Sequence, residues 1–443
     1  MQLKKRRSAA LREIGTPLAA ATCALLGQAA PASVQAQELM PWDIDTSLLI
    51  YSESDGRVQD RSLNLRARKE MREEKFLDLN LTLDSLTGAS PSGAMPAGVV
   101  QTFTNPSGNA QYTIAPGQQA LDPSFLDTRV AVSGNWEMPV GRLSLLSVGA
   151  SLSDEYDYTH TGLNANLARD FNNRNTTLSF GVAFANDSID PVGGSPVGLA
   201  PMLGLGDKSN KRGDESKDVT DFLIGLTQVI NRHTIVQLNY SLSQSDGYLT
   251  DPYKVLSVVD PVTGNPVAGP AGSGLYRYLY ESRPDSRDKQ SVFALLKRDF
   301  NGDVLEASYR YMTDDWGVDS HTAELRYRFN FGTSRYLQPH VRFYQQTAAD
   351  FYQTVLFTGA PLPAYASADH RLGEFDGITL GLKYGQATTS GNEWSARVEY
   401  YTQSGNASPG AFHSFGLKLT IRSLLVLVHS FSPHWAAGNT TSA

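Results

Sequence analysis

Read for chemistry, this sequence offers patterned charge more readily than catalytic groups. Glu306 and Arg310, then Glu324, Arg326 and Arg328, then His340 and Arg342, then Lys383, then Arg397 and Glu399 fall in five stretches, at even spacings within each. Side chains two apart on an extended strand share a face, so each stretch would present its charges to one side. Six of these residues are basic and three acidic, with His340 undecided. If that side encloses a cavity, the excess of cations favours anions, because low-dielectric walls focus the field. The same residues also fit a ladder of cross-strand ion pairs, or cations neutralised by an acidic loop folded against them. A second face is small and neutral: Ser147, Gly149 and Ser151, then His160, Asn164 and Asn166, then Ser179 and Gly181.

Other polar clusters mix carboxylates with aromatics. Asp154, Glu155, Tyr156 and Asp157 form one. Asp314, Asp315, Trp316 and Asp319 form another, and Asp369, His370, Glu374, Phe375 and Asp376 a third. Hard oxygen clusters suit Ca²⁺, yet no stretch has the spacing of a calcium loop, so any metal stays undetermined. Tyr276, Tyr278 and Tyr280, in a segment carrying both charges, are candidates for docking a ligand or packing a loop. Catalytic patterns are missing. There is no Gly-x-Ser-x-Gly elbow and no His-Glu-x-x-His zinc pair. None of the seven histidines before residue 432 has a serine two residues away on the same strand face, and His434 with Ser432 lies in the C-terminal tail. No catalytic residue and no cofactor is therefore expected.

Strands must align these charges. From Asp303, Leu305, Ala307, Tyr309 and Tyr311 alternate with Glu306, Ser308 and Arg310; after Gly317, Ala323, Leu325, Tyr327 and Phe329 alternate with Glu324, Arg326 and Arg328. Asn301-Gly302, before the first of these, is the signature of a type I′ hairpin turn. Leu77, Leu79, Leu81 and Leu83 alternate in the same way with Asp78, Asn80, Thr82 and Asp84. One face is greasy and the other polar, which is the code of a transmembrane antiparallel β-barrel, apolar outside and polar within. Sixteen such stretches can be placed, with 14–18 within reach, each about 9–11 residues as a tilted spanning strand requires. The stretch near Gln290 has ambiguous parity.

Connections alternate in length. Lys69–Lys75, Met138–Arg142, Asn172–Asn175, Asn231–His233, Asn301-Gly302, Gly332–Arg335 and Ala387–Asn392 are short. Ser85–Leu126, Asn186–Lys217, Ser245–Arg287 and Ala348–Gly377 are long, with turn starts such as Asp122-Pro123 and Asp251-Pro252. Short periplasmic turns and long extracellular loops predict this alternation.

The N-terminus reads as an export signal, residues 1–36. Lys4, Lys5, Arg6, Arg7 and Arg12 precede an apolar run ending at Ala30, and small residues lead to a cut after Ala36. The barrel would occupy 37–431, closing on a strand that ends at Phe431, and 432–443 would be a short polar tail. Cys23, the one cysteine, lies in the signal, so the mature chain has no disulfide or thiolate metal site. Removing the signal takes five basic residues and one carboxylate with it, moving the net charge from −7 to −11. That acidic total argues against nucleic acid as a partner.

Six long blocks carry a family resemblance: DSLTGASPSGA (Asp84–Ala94), DPSFLDTRVA (Asp122–Ala131), GLNANLARDFNNRNTTLSFG (Gly162–Gly181), QSDGYLTDPYKVLSVVD (Gln244–Asp260), YRYMTDDWGVDSHT (Tyr309–Thr322) and YASADHRLGEFDGITLGLKYG (Tyr365–Gly385). Together they resemble domain-of-unknown-function family 3570, over nearly all of the mature chain. The resemblance implies a bacterial outer-membrane protein with no assigned activity. It also implies a gene neighbourhood with a small lipoprotein, a flavin-transferring enzyme and a thioredoxin-like protein.

The reading is an outer-membrane channel or transport pore, with a polar, locally basic lumen and acidic–aromatic extracellular loops. Its alternatives are a non-enzymatic scaffold or sheath for a surface or redox lipoprotein, and a lumenal or loop-borne enzyme. Expected partners are outer-membrane lipid, the barrel-assembly machinery during biogenesis, and a small lipoprotein.

Overall fold

The computed structural model describes residues 42–105, 108–271, 273–389, 391–405 and 412–425. The export signal, the polar tail and Phe431 lie outside the described residues.

Sixteen antiparallel strands close into one barrel. The first four are β1 (Trp42–Glu53), β2 (Gln59–Met71), β3 (Lys75–Pro91) and β4 (Leu121–Pro139). Then come β5 (Ser144–Asp154), β6 (Tyr158–Phe171), β7 (Thr176–Ile189), β8 (Glu215–Asn231), β9 (Thr234–Gly247) and β10 (Ser286–Phe300). The circle finishes with β11 (Asp303–Asp314), β12 (Asp319–Phe331), β13 (Arg335–Gln346), β14 (Phe375–Ala387), β15 (Glu393–Gly405) and β16 (Phe412–Leu425). β1 pairs with β16 in register Thr46↔Ile421, so no edge is left open.

The period-two code sets the faces as the sequence predicts. Leu79, Leu163, Phe180, Ile224 and Leu325 are exposed on the outside of the wall, Leu163 by 61% and Leu325 by 48%. Such a continuous apolar belt is stable only against lipid. Asp78 and Arg326, one residue out of phase, take partners inside. β10, whose parity the sequence left open, joins the same code. Val292 and Leu296 face out, and Lys297 faces in, pairing with Glu306 of β11 at 2.8 Å.

Turn chemistry fixes the short side. Asn301 and Gly302 both take positive φ, 55° and 105°, as a type I′ turn requires. The long side departs from the sequence reading. The ladders run further, so the long connections shrink to 92–120, 190–214, 248–285 and 347–374. Asp122-Pro123 lies inside β4, where Asp122 faces Ser90, rather than starting a turn. Above the lipid the outward face no longer needs apolar residues, so alternation fades while backbone pairing continues.

The long connections do not wave in solvent. Val255–Val259 pairs with Tyr278–Tyr280 and, in parallel, with Val355–Phe357, joining the third and fourth connections in one small sheet. Gln101–Thr104 and Gln111–Ile114 make a hairpin in the first. Phe103, Met202, Val255 and Tyr278 draw the first three connections into one buried cluster. Leu256, Leu279, Leu356 and Ala366 make a second. The larger of these side chains, such as Phe103, Met202 and Leu256, each contribute roughly 1.5–3 kcal/mol on burial, so these connections form a folded cap.

Candidate functional site

Two regions could act: the lumen wall and the cap. In the wall, β11 to β15 bring the sequence-predicted charges onto one inward surface, because Glu306 pairs in register with Arg326, Arg326 with His340, and Lys383 with Arg397. Glu306 takes Lys297 and, at 3.9 Å, Arg326. Arg326 also pairs with Glu324. His340 lies between Glu324 at 2.8 Å and Glu399 at 3.0 Å, and Arg397 reaches Glu399 at 3.4 Å. The three carboxylates of the wall are thus all engaged. Several cations also rest on rings. Arg328 stacks 3.7 Å from the centre of Tyr336, with Lys383 at 5.5 Å from the same ring. Arg310 sits over Phe293 and Arg342 over Tyr344. The arrangement is an ion-pair ladder in which the six cations outnumber the three carboxylates.

A second charged sector, which the sequence reading did not single out, lies on β2 to β4. Asp78 takes Arg66 at 2.6 Å and Arg68 at 2.9 Å, Arg68 lies 3.6 Å from Glu137, and Arg129 pairs with Asp84. Arg66, Arg68 and Asp78 carried the alternation that would have revealed them. Between the sectors, the inward face of β5 to β9 carries mostly small uncharged groups, with Asp187 and Lys217 paired at 3.2 Å toward its upper end. Asn135 donates to Ser147 at 2.7 Å, and Ser241 bonds Ser291 at 2.9 Å.

The cap absorbs most of the loop candidates as structure. Tyr278 is fully buried, donates to Gln101 at 2.8 Å and packs 4.6 Å from the Phe103 ring, with Tyr280 buried and Tyr276 half-buried in the same cluster. Asp314 binds Arg287 and accepts from the backbone of Trp316 and Val318, holding a turn. Asp315 accepts from the Asp288 backbone at 2.9 Å. Trp316 is buried, donates to the Ser286 carbonyl at 2.8 Å and carries the Arg287 guanidinium on its ring. Glu374 stays exposed.

Asp369 and His370 belong to a buried ionic knot that sequence reading could not assemble. Arg283 reaches Glu281 at 2.6 Å and Asp369 at 2.9 Å; Arg371 reaches Asp251 at 2.7 Å and Asp369. Lys254, also buried, donates to the Pro91 carbonyl. Three carboxylates face three cations, and a proton on His370 would add a further positive charge beside them. Burial pushes His370 down to about 3, with Asp369 pulling it up and Lys254, Arg371 and Arg57 pushing it down. Burial pushes Asp369 up, but Arg371, Lys254 and Arg283 outweigh it and hold the carboxyl well below its usual range.

This knot shows where the cap sits. Segment 248–285 leaves from β9 and returns to β10, half the circle away from β1 to β3. Yet Val255 donates to the Ser92 carbonyl at 2.8 Å, next to Lys254 on Pro91, both above β3. Tyr253 donates to Asp157 in the β5–β6 turn. The segment therefore crosses the extracellular mouth from wall to wall. On the outer side, Lys208, Lys211 and Arg212 line a cleft of about 460 Å³ with Asp190 and Tyr156. Burial, with Lys208 nearby, pushes Lys211 down to about 8. Among the described residues, no three His, Cys, Asp or Glu side chains converge as a metal set.

A closed barrel with a lipid belt outside and ionised groups within is a bacterial outer-membrane protein. A family model, "Protein of unknown function (DUF3570)", matches residues 16–427, and the chain belongs to that family. No curated protein matches it. Among solved structures, it is similar to a bacterial polysaccharide outer membrane secretin at 7% identity and TM-score 0.45, covering 88% of this chain and all of that one. A ferric enterobactin receptor mutant from Pseudomonas aeruginosa is 10% identical at TM-score 0.40; 83% of this chain spans about half, 54%, of that receptor. CdiB from Acinetobacter baumannii is 8% identical at TM-score 0.42, over 87% of this chain and 61% of that one.

Proposed function

We propose that the chain is a gated outer-membrane channel for small anionic solutes, closed at the extracellular mouth by its own cap. The observation that carries this reading is the inward wall of β11 to β15, where six cations meet three carboxylates and Arg328, Lys383 and Arg342 lie over rings. Across the barrel, β5 to β7 carry mostly small uncharged groups, and Asp187 there is paired with Lys217, so little charge offsets the cations of that side. The cationic outer cleft at Lys208, Lys211 and Arg212 has the same sign and would gather the same solutes.

Planar-bilayer recording across a KCl gradient tests it. The reversal potential should lie toward that of chloride, and Arg328→Gln with Lys383→Gln should move it toward zero. Cation selectivity in the parent would reject the anion reading. Silence even after the cap is shortened would reject the channel.

A further inference from the structure

Three inward residues on adjacent strands stand in an order that neither ladder nor pore requires. Ser151 of β5 lies with its Oγ 3.2 Å from Nε2 of His160 on β6. Nδ1 of the same imidazole lies 2.7 Å from Oδ1 of Asp187 on β7. The other Asp187 oxygen takes the Tyr158 hydroxyl and, at 3.2 Å, the Lys217 ammonium. Asp187 is thus held from both sides and almost wholly buried, while the His160 side chain is 27% exposed and Ser151 half-buried. A nucleophile, a base within hydrogen-bond reach and a third group orienting the base are the geometric marks of a hydrolytic triad.

A glycine supports this independently. Gly162 lies opposite Ser151 in the register. A Cβ at 162 would come 2.6 Å from Ser151 Oγ and 3.0 Å from His160 Nε2, falling on the bond between them. Its φ is outside the left-handed region, so the backbone does not demand glycine here. The missing side chain leaves the serine open to the lumen. Gly149, one step down β5, is also bare, with the Asn164 amide 2.8 Å from where its Cβ would stand.

We propose that Ser151, His160 and Asp187 form an acyl-ester hydrolase site in the lumen wall, with Asn164 as the neighbouring donor for an oxyanion. Ser151 Oγ attacks the ester carbonyl as His160 Nε2 takes its proton, and Asp187 steadies the imidazolium. Collapse of the tetrahedral intermediate breaks the carbon–oxygen bond to the alcohol, which leaves with the proton from His160. Water, deprotonated by the same nitrogen, then releases the acid and restores the serine. The activity goes beyond the channel reading and does not depend on it.

The test uses the full-length barrel in detergent, with folding checked by its heat-modifiable gel mobility. A fluorophosphonate probe should label Ser151, read by peptide mapping, and p-nitrophenyl butyrate should be hydrolysed. Ser151→Ala should abolish labelling and lower hydrolysis by about 10³-fold or more, with the barrel still folded. Ser151→Cys should restore an acyl burst. Gly162→Ala, on the wall but not in the reaction, should block labelling by displacing the hydroxyl. His160→Gln, which leaves no base within reach of the hydroxyl, should lower hydrolysis as far as Ser151→Ala does. A folded parent barrel that neither labels at Ser151 nor hydrolyses ester faster than Ser151→Ala overturns the proposal.

Discussion

The wall and the cap are built from the same chain under opposite rules. The wall is held by neighbours in sequence: each strand pairs with the next, its outward side chains face lipid, and its inward charges find partners across the sheet. The cap is held by residues far apart in the chain, such as Val258 facing Leu356 in a parallel pair and Arg283 reaching Asp369. Its interior is protein rather than lipid, and it encloses a knot of paired ionisable groups. Lipid supplies the wall's solvent, while the cap must supply its own. The wall should therefore be robust to lumen changes and sensitive to outward charge, and the cap the reverse.

That contrast can be broken in several ways. Arg283→Met, which leaves Glu281 and Asp369 without their shared cation, should cost about 3–5 kcal/mol. The loss should appear as rapid proteolysis of 248–285 and 347–374 while the barrel keeps its heat-modifiable mobility; loss of the barrel too would deny the cap its independence. Leu325→Arg should do the opposite, costing about 2–4 kcal/mol near the bilayer centre and impairing insertion. Unfolding titrations in lipid vesicles measure it.

Acid should loosen the cap alone. An unfolded histidine titrates near pH 6.5, whereas His370 refuses a proton down to about 3. Between those values the opened cap binds a proton that the closed one excludes, so stability falls with pH by up to about 1.4 kcal/mol per unit. Asp369, held low, adds loss of the same sign below about pH 4. Hydrogen exchange across 248–285 should rise from pH 7.5 to pH 5 and become flatter in His370→Gln. The smallest effect belongs to the periplasmic turn: Glu73→Gln removes an exposed pair with Lys75 and should leave the unfolding midpoint unchanged.

Legibility in the sequence followed the same division. Lipid imposes a local, period-two demand, so Leu77 to Leu83 and Leu325 to Phe329 announced their faces, and Asn301-Gly302 announced its turn. The charge wall from Glu306 to Glu399 came with them. Above the lipid that demand lapses, and Asp187 and Lys217 read as loop although both are ladder residues. The Ser151–His160–Asp187 array was hidden for that reason, and because a search along one strand cannot see a pair formed across two. The cap was illegible for another cause. Tyr278, Trp316 and Asp369 look like surface binding groups until partners as distant as Gln101 and Arg283 are brought to them, and no local pattern encodes such contacts.

The central claim is that a polar lumen lies beneath a closed cap. Single-channel conductance, compared between the intact chain and a variant with 252–283 replaced by a short Gly-Ser linker, tests it most directly. The account predicts rare, brief openings for the intact barrel and steady conductance, several-fold larger on average, once the crossing segment is gone. A shortened barrel that stays folded and passes no current would show the lumen to be filled, and would contradict it.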